Sequence, residues 1–269
     1  MSDTIMSPRE LAHELQQRRT ARARERAADP ARVGEIVRPL SEWSYNPIPS
    51  QPVVQLSYDE LRQAMYVIYQ RHIPAGEVIT FTERQREVVQ AVIRYAIGDK
   101  TGPLSLRKGL YIHGDYGRGK TLLLRVLRDA LQAAYVGIYI KDQDQRIPAA
   151  NVRPYTMTTY ERIVDDVQQA GKTNIIKQYT LADYCIDDLG YIEESKLNLY
   201  GTKVDLVSKI VKVMHNTYMQ RRHTAQYRVY HFTSNLDPDR MTELHSEGTY
   251  SRLSEMCNII RWDGENHRL

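Results

Sequence analysis

The sequence predicts an α/β fold, a mostly parallel sheet with helices on both faces. Three observations carry that reading. First, Gly114-Asp115-Tyr116-Gly117-Arg118-Gly119-Lys120-Thr121 fits G-x-x-x-x-G-K-[ST], the phosphate-binding P-loop. It sits between an apolar run, Gly109 to His113, and a helical pattern, Leu122 to Leu131. Second, another apolar run beginning at Ala182 ends in two carboxylates, Asp187 and Asp188. Third, strand-like and helix-like stretches alternate to the end of the chain, which favours parallel strands joined by crossover helices. Ligand sites on such sheets lie at the carboxyl ends of strands, where Gly114, Asp187 and Asn235 all fall.

The chemistry follows from the residue types. Glycines let the backbone wrap an anion because no Cβ intervenes. Loop amides and the positive end of the helix dipole then face phosphate oxygens. Residues Gly114, Asp115, Tyr116, Gly117, Arg118, Gly119, Lys120, Thr121 and Leu122 are therefore expected to hold ATP. Lys120 would reach the β- and γ-phosphates, and the Thr121 hydroxyl would ligate Mg²⁺. Asp187 would hold Mg²⁺ through water, and Asp188 would orient or deprotonate the attacking water. Asn235 ends a strand, Tyr227 to Thr233 with Ser234, and has two readings. It contacts the γ-phosphate or lytic water, or it caps the turn or short helix at Leu236 to Asp239. The convergence of strand ends favours the first.

Composition sets the frame. In 269 residues, 42% are hydrophobic and 26% charged, the balance of a soluble globular protein with one sizeable core. No apolar run approaches a membrane span and no signal-peptide pattern opens the chain, so a cytoplasmic protein is expected. Two cysteines, Cys185 and Cys257, make neither a metal site nor a disulfide framework. A net charge of +4 permits nucleic-acid binding only through a local basic surface. The chain uses 19 Tyr against 2 Phe, a bias with no functional account.

Two parts are expected: an appendage over residues 1–55 and a core over 56–269. A helix from Ser7 to about Ala28 would carry Arg18, Arg19, Arg22, Arg24 and Arg26. It is a solvated basic arm or an arm that binds a partner or nucleic acid. Five prolines between Asp29 and Pro52 read as linker. Helices are expected from Ser57, from Thr82 to Ala96, from Thr159 to Ala170, from Thr202 to Met219 and from Glu247 to Met256. Strands are expected at Arg153 to Thr158 and Asn258 to Trp262, and a surface loop over Lys141 to Asn151.

These residues resemble the DnaC/IstB-like branch of AAA+ ATPases, particularly its helicase-loader-like members. The match covers Gly98-Asp99, Lys108-Gly109-Leu110, the P-loop, Cys185-Ile186-Asp187-Asp188-Leu189-Gly190, Thr233-Ser234-Asn235-Leu236 and Tyr250-Ser251-Arg252-Leu253-Ser254-Glu255-Met256-Cys257-Asn258. It runs from about Thr82 onward, roughly two-thirds of the chain.

The resemblance implies a three-layer P-loop AAA+ core; this chain departs from the pattern in carrying only about seventeen residues beyond Arg252, so no full helical lid is expected. Asn235 would be sensor 1. Arg252 would be the arginine finger on a neighbouring subunit's γ-phosphate, which requires a homo-oligomer. Without that role, Arg252 would be a surface residue paired with Glu255. Arg268 stands where similar proteins carry a terminal arginine. The implied function is an ATPase that assembles on single-stranded DNA and loads a replicative helicase. The alternatives are a transposase helper acting on duplex DNA and a nucleotide-dependent scaffold. Lys172, Lys177 and Tyr179 are the candidate DNA contacts, offering charge and stacking. Asp188 stands where many AAA+ proteins have Glu, so slow hydrolysis is expected.

Overall fold

The computed structural model of the chain describes residues 54–73, 80–141, 148–149, 152–190, 196–199, 201–224 and 227–264. All fall within the unit Pro52–Leu269. The basic arm, its linker up to Pro52, most of the expected 141–151 loop, and Arg268 lie outside the described residues.

A short strand β1 (Val54–Gln55) leads to α1 (Tyr58–Gln70), which opens with a complete Ser57/Glu60 capping box. Leu61, Met65 and Ile68 recur at helical spacing and are buried. Helix α2 (Glu83–Ile97) has a second box, Thr82/Gln85, and ends on Gly98 in the left-handed conformation. Strand β2 (Gly109–His113) is buried along its whole length and precedes α3 (Lys120–Lys141), which runs ten residues past the expected Leu131. Next come β3 (Pro148–Ala149), paired with β1, then β4 (Thr156–Thr159) and α4 (Tyr160–Ala170). A 3₁₀ segment over Thr173–Thr180 leads into β5 (Tyr184–Asp187).

The expected helix from Thr202 is corrected. Strands β6 (Lys196–Leu199) and β7 (Thr202–Asp205) form an antiparallel hairpin, and helix α5 starts only at Leu206 and runs to Arg221. Asp205 is its N-cap, accepting from the Ser208 amide. The chain then forms β8 (Tyr230–Ser234), α6 (Pro238–His245), α7 (Glu247–Met256) and β9 (Cys257–Arg261).

Five strands form one parallel sheet in the order β4-β5-β8-β2-β9. Successive side chains of a strand point to opposite faces. Leu110 and Ile112 accordingly enter the core beneath α1, α2 and α3, while Tyr111 enters the core under α4, α5 and α7. Both faces are covered, so β2 and β8 read as continuous buried runs rather than alternating ones. Each fully buried aliphatic side chain contributes about 1.5–3 kcal/mol, which fixes the register.

His231 is an exception inside this core. It is fully buried on β8, accepts the Leu110 amide on Nδ1 at 3.2 Å, and lies against Tyr155. Burial pushes its pKa from 6.5 down to about 3. Between those values only the unfolded chain takes up this proton, so acid favours unfolding. From pH 7 to pH 5 this group alone should remove about 2 kcal/mol of stability. Urea midpoints of wild type and His231→Asn across that range test this. The Asn keeps an acceptor for Leu110 and should flatten the slope by that amount; equal slopes refute it.

Candidate functional site

Strands β5, β8 and β2 are neighbours, so their carboxyl ends meet at one edge of the sheet. The chain leaves β2 at Gly114, with φ of +149°. A Cβ there would lie 2.3 Å from the Trp262 carbonyl oxygen, so glycine is required for the strand end to pass the residue after β9. Trp262 also donates its amide to His113 O at 2.8 Å and its indole N–H to Arg118 O at 2.5 Å. The far end of the chain thus clamps both sides of the loop. Sequence reasoning missed this role, because nothing local marks a tryptophan after a strand as a loop clamp.

Lys120 is buried, 5% exposed, at the start of α3. Its Nζ donates to Gly114 O at 2.7 Å, to Asp115 O at 2.8 Å and to Asn235 Oδ1 at 2.7 Å. An ammonium has three protons, and three acceptors hold it in place. Asn235 offers its oxygen to Lys120, so its Nδ2 is the buried donor left without a partner. The capping role is filled instead by Asp237, which accepts the Arg240 amide at 2.8 Å. Asn235 is thereby free of α6 and turned to the P-loop lysine.

Asp187, 8% exposed, receives two hydroxyls on one carboxylate oxygen, Thr121 at 2.7 Å and Thr233 at 2.5 Å. Thr233 also accepts the Asp188 amide at 2.9 Å, and its carbonyl accepts the Leu189 amide at 2.8 Å. Asp188 has φ of +54°, a conformation costing a non-glycine residue about 1 kcal/mol or more. The bonds from Thr233 and from Ser234 Oγ to Leu189 O hold the turn in that conformation. Thr233 is a second residue that sequence reasoning missed. A signal for it exists, since it lies two residues before Asn235 on the same strand.

The Thr121 hydroxyl and Asp187 carboxylate are adjacent hard oxygen donors, which suits an ion that keeps waters and phosphate oxygens. Among the described residues no group of three or more His, Cys, Asp or Glu is placed to hold a metal by itself. The residues fit Mg²⁺ entering with a phosphate, and not a caged metal. Nearby, burial pushes the His113 pKa below 6.5, against the opposing charge of Asp237. Its imidazole therefore adds no charge at neutral pH.

Beside Arg118, Gly119 and Leu122 opens an apolar cavity of about 200 Å³, walled by Tyr69, Phe81 and Trp262. Gln85 lines it too. The Gln85 oxygen is held by the Thr82 amide at 3.0 Å, so its Nε2 is the end without a partner. Arg118 Nε is likewise buried and unpaired. Of the remaining loop residues, Asp115 pairs with Arg118 at 3.0 Å, Tyr116 is exposed, and Gly117 has φ of +73°.

Arg252 lies on α7 and donates to its own helix at Gly248 O, 2.7 Å. The pairing with Glu255 is not formed. Glu255 binds His215 at 2.8 Å and Arg222 at 3.7 Å instead. On the 3₁₀ segment and its N-cap, Lys177 and Lys172 are both exposed. Tyr179 corrects the expectation of base stacking: it is 5% exposed, its hydroxyl donates to Asp166, and its ring meets Tyr184 edge-on. Neither ring face is open to a base.

Fold and site together make a five-stranded parallel α/β core with its glycine-rich loop, acidic turn and polar strand tip at one sheet edge. No family model matches the sequence, and no curated protein matches it. Among solved structures, the chain is similar to a primosome component from Streptococcus pyogenes serotype M3, at 18% identity and TM-score 0.47, covering 75% of this chain and 91% of that one. It is similar to DnaI at 18% identity and TM-score 0.47, covering 79% and 94%. It is similar to the DnaC helicase loader at 16% identity and TM-score 0.41, covering 72% and 98%. Among the described residues no helix is long and apolar enough to cross a membrane.

Proposed function

We propose that this chain is an ATPase that assembles on single-stranded DNA and serves a replicative helicase as a loader does. The observation that supports it is the meeting of Lys120, Thr121, Asp187 and Asn235 at one sheet edge, with an unpaired Asn235 donor beside the lysine. Lys120 binds the terminal phosphates, exchanging its contact with Asn235 for theirs. Thr121 and Asp187 hold Mg²⁺, which neutralises phosphate charge when bound. Asp188 takes the proton of the attacking water. The purine fills the apolar cavity beside Gly119 and Leu122. Arg252 acts on the nucleotide of the next copy. Residues 1–55 grip the partner protein, and Lys172 and Lys177 contact DNA phosphates.

The test is binding of labelled single-stranded DNA with and without ATP, in wild type and Lys120→Ala. Lys120 makes charge-assisted bonds worth about 1.5–3 kcal/mol each, so the variant should bind ATP roughly 10- to 100-fold more weakly. ATP-stimulated DNA binding should disappear with it. Indifference to DNA in the wild type removes the loader reading. A preference for duplex DNA replaces it with the transposase-helper reading.

A further inference from the structure

The elbow between α6 and α7 is fastened by a polar cluster that the nucleotide site does not use. His245, whose side chain is 1% exposed, sets Nδ1 3.0 Å from Asp205 Oδ1 at the start of α5. Ser208, one turn into α5, donates to Asp205 Oδ2 at 2.6 Å and lies 2.9 Å from His245 O. Thr249 Oγ1, in the first turn of α7, lies 2.7 Å from Ser208 Oγ and 2.8 Å from His245 O. The elbow residue, Ser246, has φ of +93°. With Asp188 it is one of two non-glycine residues with positive φ among the described residues. Burial opposes ionisation of Asp205, yet the bonds from His245 and Ser208 hold its carboxyl below its usual range. The carboxylate is therefore kept charged as the anchor.

Two features make this more than local packing. Thr249 precedes Arg252 by three residues on a ten-residue helix, so the cluster grips the turn from which Arg252 projects. On its other side, the His245 ring approaches the acidic turn. A Cβ on Gly190 would lie 3.7 Å from His245 Nε2 and 2.8 Å from Leu236 on the β8–α6 connection. One buried imidazole thus stands between the loop that follows Asp188 and the elbow that carries Arg252.

We propose that Asp205, Ser208, His245 and Thr249 form a brace, with His245 a positioning residue that fixes the angle of α7 so that Arg252 reaches the neighbouring copy's nucleotide. This rests on the reading of Arg252 given above. A strained elbow without the brace has other conformations available, and a few degrees at Ser246 displace a side chain six residues on. The brace acts on the copy that lends the arginine, not on the copy that binds the nucleotide.

Mixed assemblies test that asymmetry. Lys120→Ala subunits lend Arg252 but bind nucleotide poorly, and Arg252→Ala subunits bind it but lend nothing. Mixing the two should restore phosphate release above either alone. His245→Leu placed in the Lys120→Ala subunit should then cut the restored kcat about tenfold with KM unchanged. Placed in the Arg252→Ala subunit it should cost at least fivefold less, as an order-of-magnitude expectation. His245→Asn, which keeps a donor at the Nδ1 position, should recover most of the rate. Ser208→Ala removes one oxygen from a half-buried site and should show the same asymmetry if His245→Leu does not fold. Equal losses in both placements overturn the brace while leaving the Arg252 reading intact. If the unmodified mixture shows no restoration, Arg252 is not shared between copies, and both readings fall.

Discussion

Arg252→Ala is expected to lower ATP turnover by about three orders of magnitude, with nucleotide affinity changed by no more than about twofold. A guanidinium facing the γ-phosphate neutralises charge that develops only in the transition state. Its loss therefore appears in kcat and not in ground-state binding. Among the described residues Arg252 has no partner that would compete strongly, since its bond is to the Gly248 carbonyl and Glu255 is taken by His215 and Arg222. The check is steady-state phosphate release alongside nucleotide binding, with self-association followed by sedimentation. Turnover within about threefold of wild type, in a protein that remains monomeric with saturating ATP and magnesium, would sink the shared-site mechanism.

Asp188→Asn is expected to lower kcat by about 10²–10⁴ while ATP and Mg²⁺ still bind. An amide keeps the size of the side chain but cannot accept the proton of the attacking water. The φ of +54° is tolerated by Asn as well as by Asp, so the turn survives the change. Stopped-flow nucleotide binding and single-turnover hydrolysis separate the two effects. If hydrolysis is unchanged, Asp188 is not the base. If wild type shows no hydrolysis above the Lys120→Ala background, the chain is a nucleotide-dependent scaffold and Asp188 has no catalytic role.

Elements with strong local signals are legible in the sequence. Ser57/Glu60, the glycines of the P-loop and the apolar runs at Gly109–His113 and Tyr184–Asp187 each carry their own physical instruction. Strand β7 reads instead as the start of a helix, because Val207, Ile210, Val211, Met214 and Tyr218 make a helical stripe that nothing local stops before Thr202. The alternation Lys196-Leu197-Asn198-Leu199 before Gly201 is the signal that opposes it. The burial of Tyr179 is not legible. Its neighbours Ile176 and Thr180 give no sign that the segment folds as a 3₁₀ turn packed on α5.

The sequence alone determined the make-up of this protein's candidate site: which groups are expected to bind phosphate, which acids stand together, and that they share a sheet edge. Those properties follow from residue type and short-range spacing, and a P-loop must be contiguous to work. Only tertiary structure decided which groups hold that site in shape. Trp262 clamps the loop from 144 residues away in sequence, Thr233 on β8 fixes the acidic turn after β5, and His245 joins two helices and a hairpin. Such partners are chosen by the folded sheet order, because a buried hydrogen bond needs only that its two ends meet in space. No spacing in the chain encodes that meeting.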